Sequence, residues 1–281
     1  MDNSKLKQLK ITSAKVRRHI IDAVYNASSG HPGGSLGIAD ILTVLYNEVL
    51  NIDPSNPKME NRDRFVLSKG HCSPALYGIL AEKGYFPKKE ILKFRKIDSY
   101  LQGHPDSKKV PGVDASTGSL GHGISVACGM AISAKLDKKD FRVYTVLGDG
   151  ELEEGQVWEA AMFAAHYKLD NLTAFVDFNG LQIDGDITKV MSPLPIDEKF
   201  KAFGWNVLYI DAHNYEQIIS AIEEAKLFKG KPTMILATSI KGKGVSFMEG
   251  QASWHGSAPN KEQYEQAVAE LDELLKQAEE D

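Results

Sequence analysis

The chain has 281 residues, enough for one large core or two small ones, and its 42% hydrophobic and 25% charged content is the usual globular balance. A formal net charge of −5 argues against a surface built for nucleic acid or an anionic membrane, although a local basic pocket for a small phosphate remains open. Two cysteines, Cys72 and Cys128, make no disulfide framework and fit a reducing compartment. Residues 1–10 are polar and lack an apolar signal core, and no stretch approaches the ~18 apolar residues of a membrane helix. These features predict a cytoplasmic globular protein with neither nucleic acid nor membrane as partner.

In chain order, residues 4–27 carry Leu6, Leu9, Val16, Ile20, Ile21 and Val24 at helical spacing and stop at Ser28-Ser29-Gly30. A second apolar helix is expected at 38–50, a loop with Pro54 and Pro57 at 51–63, a short strand at 64–67 and a helix at 73–83. Residues 96–119 are rich in Gly, Pro, Ser and His without periodicity, and structureless stretches of that length are usually functional. The run 120–136 reads as a helix with small residues all round, which suits close burial. From there the pattern alternates: strand 142–147, helix 156–167, strand 172–178, strand 205–210, helix 215–228, strand 232–238, and a polar acidic helix at 260–280. Alternation of this kind implies βαβ units and a mostly parallel sheet flanked by helices on both faces, an α/β fold. One domain is expected over 1–281, with a helical part at 1–140, a βαβ core at 141–240 and a C-terminal loop and helix at 241–281.

The strongest local signal is Gly148-Asp149-Gly150 at the carboxyl end of a strand, the edge at which parallel sheets bind ligands. Asn179, thirty residues on, follows the next strand, and one helical crossover returns the chain to the same edge. A carboxylate, an amide oxygen and a backbone carbonyl are hard ligands suited to Mg²⁺ or Ca²⁺, and Mg²⁺ commonly completes its shell with phosphate oxygens. Glycines flanking Asp149 let backbone N–H groups approach phosphates. Gly-Asp-Gly and Asn-Gly are also ordinary turn sequences, so the residues alone leave both readings open.

The segment from Gly148 to Ala160, Gly-Asp-Gly-Glu-Leu-Glu-Glu-Gly-Gln-Val-Trp-Glu-Ala, resembles the transketolase form of the thiamine-diphosphate signature. Ser29-Gly30-His31-Pro32-Gly33, Ser68-Lys69-Gly70-His71, Gly103-His104-Pro105, Thr117-Gly118-Ser119-Leu120-Gly121, Lys241-Gly242-Lys243-Gly244 and Ser253-Trp254-His255-Gly256 resemble the same family, in the family's order, across residues 30–256. The resemblance implies the thiamine-diphosphate-binding fold, specifically its N-terminal diphosphate-binding domain. It implies Mg²⁺, for which Ca²⁺ or Mn²⁺ can substitute, on Asp149, Asn179 and the carbonyl of Leu181. It implies thiamine diphosphate held by His71, Gly150, Asn179, Lys241 and His255, with Gly118, Ser119 and Leu120 along the aminopyrimidine. It implies catalytic roles at the sugar hydroxyls for His31, His104 and His255, and a dimer interface at Glu154 and Glu159. Imidazoles titrating near neutrality suit proton transfer at those hydroxyls.

Each residue also has a plainer reading. A lone loop histidine is usually a surface or capping residue, Lys241 and Lys243 fit a solvated loop, and Trp254 fits packing. Cys72 and Cys128 read as buried apolar-like residues, and His19, His166 and His213 as structural or surface. His122 stands where many members carry Gln, and Gly34 where some carry a polar residue, so no contact is carried over to either.

Transketolases continue into a pyrimidine-binding domain and a C-terminal domain, and the glutamate that activates the aminopyrimidine belongs to the former. The resemblance therefore implies a split transketolase of carbohydrate metabolism, as in the pentose phosphate pathway. This chain, expected to be a complete gene product, would act on sugar phosphates in an α2β2 heterotetramer with a separate C-terminal subunit. The leading reading is glycolaldehyde transfer from a ketose phosphate to an aldose phosphate. A split transketolase for a branched, deoxy or sulfonated sugar is the alternative. A non-catalytic cofactor-binding subunit is the reading from another class, and synthesis of deoxyxylulose phosphate suits the histidine blocks less well.

Overall fold

The computed structural model describes residues 2–280; Met1 and Asp281, the two ends of the expected domain, lie outside them. The helices are α1 (Asn3–Ala27), α2 (Pro32–Gly37), α3 (Ala39–Val44), α4 (Ser73–Glu82), α5 (His122–Leu136), α6 (Gly155–His166), α7 (Ile187–Val190), α8 (Ile196–Ala202), α9 (Tyr215–Leu227) and α10 (Lys261–Glu280). The strands are β1 (Arg64–Leu67), β2 (Val143–Gly148), β3 (Leu172–Phe178), β4 (Leu181–Gln182), β5 (Gly185–Asp186), β6 (Asn206–Asp211) and β7 (Thr233–Thr238).

Strands β1, β2, β3, β7 and β6 lie side by side in that order, every pair parallel. Parallel neighbours require crossovers, so every strand releases its chain at one common edge. Side chains alternate between two cores, as the two-residue period of a strand dictates. Phe65, Leu67, Tyr144, Val146, Phe175 and Ile235 join the core under α1, α3, α4, α9 and α10. Val66, Val143, Leu147, Ala174, Val176 and Met234 join the core under α5, α6 and α8. Helices on both faces explain why these strands read as unbroken apolar runs. The α/β architecture with a parallel sheet between helical layers is therefore the one expected. Among the described residues, no helix is long and apolar enough to cross a membrane.

Some elements depart from the expectation. The run at 38–50 is α3 followed by a single π turn at Leu45–Val49, and α2 precedes it, ended by Ile38 at φ −100°, ψ 4°. Pro32 at the first turn has the φ that opens a helix, but three glycines in six residues hide any period. Helix α5 starts at His122, not at 120, because Gly121 sits at φ 80°, outside the helical region. The β4–β5 hairpin and helices α7 and α8 are additional to the expected elements; each is too short for periodicity to register.

Helix α5 packs on the end of β1 so closely that a Cβ on Gly123 would lie 2.5 Å from the Ser68 Cα. Backbone cannot yield as a flexible side chain can. Gly123→Ala is therefore expected to destabilise the fold by about 1–3 kcal/mol, read as a lowered urea midpoint. An unchanged midpoint would show that α5 is free to move off β1.

Candidate active site

The loops leaving β1, β2, β3 and β7 converge on a cavity of about 340 Å³ at the carboxyl edge of the sheet, within the size range of small-molecule sites. Its lining includes His31, His71, His104, Gly118, Leu120, Asp149, Gly150, Asn179, Leu181, Lys241 and His255. Ser119 is exposed and is not among the lining residues; its carbonyl accepts from the His122 N–H at 3.3 Å. Gly34, Lys69, Glu151, Gln182 and Ile183 also line it, beyond the residues the sequence motifs single out for ligand contact.

One side of the cavity is rich in oxygen. Oδ2 of Asp149 accepts from the Asn179 N–H at 3.0 Å and the Gly180 N–H at 2.7 Å, and Oδ1 from the Gly150 N–H at 2.9 Å. These bonds fix the β3 loop to the β2 end. Burial, and then the neighbouring Asp177 charge, raise the Asp149 pKa to about 6, against those N–H bonds. Asn179 accepts on Oδ1 from the Leu181 N–H at 3.1 Å, and the Leu181 carbonyl accepts from the Lys241 ammonium at 3.1 Å. A cation thus already stands against one of the three oxygens expected to hold metal. The donor chemistry of carboxylate, amide and carbonyl fits a hard divalent ion that keeps other positions for phosphate. Among the described residues, no group of three His, Cys, Asp or Glu side chains offers a metal cage of its own.

The other side is imidazole. The rings of His31, His71 and His255 form a triangle with centroids 5.1, 5.4 and 5.2 Å apart. Lys241 Nζ lies 3.2 Å from His255 Nδ1; an ammonium can only donate, so Nδ1 accepts and the ring proton is on Nε2. Nδ1 of His31 is buried without a partner. Burial, with Lys241 next, lowers His255 to about 3. Burial, then Arg95, His104 and Lys241, lower His31 to about 4. Burial, then Lys69 and the other two rings, hold His71 well below the usual range, and burial with Arg95 lowers His104. Lys241 is 3% exposed, so it is not the solvated loop lysine of the plainer reading. His104 sits at the mouth, where a Cβ on Gly118 (φ 148°) would come within 2.9 Å of its ring. Only glycine lets that backbone pass.

Beneath the cavity lies an ion pair the sequence did not disclose. Lys69, 2% exposed, bonds Asp177, which is 0% exposed; Asp177 also accepts from Ser239 Oγ and, at 3.2 Å, from Asn179 Nδ2. Burial alone would lower the Lys69 pKa, but the Asp177 charge overturns this and leaves it raised. Asp177 moves the opposite way: burial raises it, and Lys69 brings it below the carboxylate range. The buried Glu151 carboxylate accepts from Ser68 Oγ, the Gly121 N–H at 2.9 Å and the Gly148 N–H at 3.0 Å, which joins three of the cavity's segments. A charge inside a largely apolar, buried strand, such as Asp177 in Leu172–Phe178, is the signal that marks such a pair in advance. Cys72 and Cys128 are buried free thiols, both raised by burial, as expected of packing residues.

Residues 9–272 match the family model described as transketolase, thiamine diphosphate binding domain. The chain belongs to the transketolase family. It is 47% identical over 258 residues to the 6-deoxy-6-sulfo-D-fructose transketolase subunit of Clostridium sp. (strain MSTE9), covering 92% of this chain and 94% of that one. It is 44% identical over 271 residues to an apulose-4-phosphate transketolase subunit of Phocaeicola vulgatus, covering 96% of each. The crystal structure of transketolase from Campylobacter jejuni superposes with a TM-score of 0.89 at 37% identity, covering 94% of this chain but 42% of that one. The chain thus spans nearly all of two transketolase subunits and under half of a longer transketolase.

The depressed histidines tie stability to pH. An unfolded histidine binds its proton near pH 6.5, whereas folded His255 refuses it down to about 3. Between those values the unfolded state binds more protons, so this group's contribution falls as pH falls through the window. Asp149, raised to about 6, has the opposite sign. His255→Gln removes one withheld proton. Urea unfolding across pH 6.5 to 4 is therefore expected to show a shallower loss of stability than in the parent; an identical slope would mean that His255 is not held neutral.

Proposed function

We propose that this chain is the thiamine-diphosphate- and Mg²⁺-binding subunit of a split transketolase, transferring a two-carbon glycolaldehyde unit from a ketose phosphate to an aldose phosphate. The observation that carries the reading is the cavity itself: three hard oxygen donors on one side, three neutral imidazoles and an ammonium on the other. In this reading the whole described chain serves as one diphosphate-binding domain.

Asp149, the amide oxygen of Asn179 and the carbonyl of Leu181 would hold the metal, with Lys241 released from Leu181 toward the diphosphate. His71, the Gly150 N–H and His255 would meet the same phosphates. The backbone at Gly118 and Leu120 would border the aminopyrimidine, with Ser119 acting through main chain. When bound, the cofactor supplies a carbanion nucleophile and an electron sink for carbon–carbon cleavage. The chain's own part is proton handling. His31 offers an unpartnered Nδ1, His255 a proton on Nε2, and His104 a ring at the mouth, each suited to sugar hydroxyls or a developing oxyanion. Depressed pKa values leave these rings neutral at pH 7, the state in which one ring can both accept and donate.

A partner carrying the pyrimidine domain, in an α2β2 assembly, accounts for a chain that matches two proteins named as subunits along nearly their full length. Exposed Val126, Met162 and Phe163 on α5 and α6, beside exposed Glu154 and Glu159, supply apolar surface for such an assembly. A cytoplasmic site of action fits the composition. Relatives named for sulfofructose and for apulose phosphate favour, as a second reading, an unusual sugar substrate.

Co-purification of the tagged chain is expected to bring down a partner with a pyrimidine-domain sequence, and the lone chain to show little turnover. In the reconstituted complex, Asp149→Ala is expected to abolish glycolaldehyde transfer and weaken binding of magnesium thiamine diphosphate by more than about 100-fold. Full activity of that variant would refute the metal assignment. Comparing kcat/KM for ordinary ketose phosphates, sulfofructose and apulose phosphate decides between the two substrate readings.

A further inference from the structure

The loop after β7 carries Lys241 into the cavity, and the residues on either side of it are held from behind. The Ile240 N–H donates to Nε2 of His213 at 2.9 Å, and the Lys243 carbonyl accepts from Nε of Arg17 at 3.0 Å. Both anchors converge on one carboxylate. Asp40 accepts from Nδ1 of His213 at 2.8 Å, from the terminal nitrogens of Arg17 at 3.0 and 2.6 Å, from the Tyr215 hydroxyl at 2.8 Å, and from Ser13 Oγ. Asp40 is 3% exposed and Arg17 6%. A backbone N–H can only donate, so Nε2 of His213 accepts and the ring proton is fixed on Nδ1, facing Asp40. Four parts of the chain (α1, α3, the β6–α9 turn and the β7 loop) therefore meet through a single buried charge.

Packing meets the loop at Gly37, close to the Ile240 carbonyl, and at Gly33, close to the Lys241 stem. Behind the loop lies an open cleft of about 820 Å³ lined by Arg17, His213, Lys243 and Gly244, so a loop that lost its bonds would have room to shift. The loop is also held by the Gly242 N–H on the Gly33 carbonyl at 2.9 Å, the Lys241 carbonyl under the Gly250 N–H at 2.9 Å, the Ser239 N–H on the Phe178 carbonyl at 3.0 Å, the Gly244 N–H on a Glu249 carboxylate oxygen at 2.9 Å, and Ser239 Oγ on Asp177. The Lys243 N–H bonds the Ile240 carbonyl at 3.2 Å and the Lys243 ammonium lies 3.4 Å from Glu249, both ties within the loop, which leaves His213 as the anchor of the Ile240 N–H and Arg17 as the anchor of the Lys243 carbonyl. Lys241 itself is a point charge on a flexible four-carbon stem, so the reach of its ammonium depends on where its backbone is held.

We propose that His213, oriented by Asp40 and anchoring the Ile240 N–H, is a positioning residue that sets where the Lys241 ammonium stands in the cavity and hence the affinity for a metal-bound diphosphate. The inference rests on the assignment of Lys241 to the diphosphate. Removing Asp40 would strand buried Arg17 and endanger the fold, so the test is made at His213, with a matched pair of amides. Gln extends its oxygen toward the Nε2 position and can accept from Ile240. Asn reaches only the Nδ1 position and cannot.

The full chain is titrated with inorganic pyrophosphate in excess Mg²⁺ by calorimetry. The expected result is about tenfold weaker binding for His213→Asn, near-parental binding for His213→Gln, and the same thermal midpoint for the two variants. In a double-mutant cycle, His213→Asn should add no further loss once Lys241→Ala is present. Equal binding by the Asn and Gln variants, or additive losses in the cycle, would overturn the positioning role while leaving the diphosphate assignment intact. No binding by the parent chain would remove both.

Discussion

The pair formed by Lys69 and Asp177 is the constraint on which the site depends. Taking two charges out of water costs several kcal/mol each, and only close pairing with further hydrogen bonds offsets it. Here the further bonds are where the pocket gets its shape. Asp177 takes Ser239 from the β7 loop and Asn179 from its own, while Lys69 arrives from the β1 end and lies 3.4 Å from the Gly34 carbonyl of α2. Four separate segments are therefore referred to one point below the cavity floor. The same negative charge raises Asp149 above it, and the same positive charge helps keep His71 neutral. The electrostatics of the site and its geometry have a common origin.

Much of the fold was legible because the sheet is buried on both faces. Strands β1 and β3 stand out as apolar runs between polar stretches, and their observed limits coincide with the expected ones. Helices α1 and α9 announce themselves by periodicity, with Ile20, Ile21 and Val24, or Ile218, Ala221 and Ile222, facing the core. The six residues of α2 give no such sign. They are helical because neighbours cover every one of them, a tertiary cause that local sequence cannot carry.

The cavity residues were legible for a different reason. Glycine, histidine and aspartate in aperiodic loops mark places where the chain is not serving its core, and the sheet topology then brings those loops to one edge. Ser119 shares that composition yet is exposed, because it lies in the bend that leads into α5, its carbonyl taken by the His122 N–H. What composition could not reveal were the partners behind the lining. Lys69 and Asp177 lie 108 positions apart, and Asp40 and His213 lie 173 apart. A buried charge implies a partner, but only the folded chain says which one.

The longest crossover in the sheet runs from the end of β1 to the start of β2, and His71, His104 and Gly118 all lie on it. Pairings between distant segments pay their loop-closure entropy before contacts reward it, which makes them slow to form. The segment that links edge strand β1 to β2 thus also supplies part of the cavity's lining, the rest coming from Asp149, Asn179, Lys241 and His255 further along the chain and from His31 before it. A ligand recognised by that cavity would bind only the fully closed molecule, and mass action would then draw the folding equilibrium toward it. Supply of the ligand becomes, in this architecture, a determinant of how much of the chain is folded.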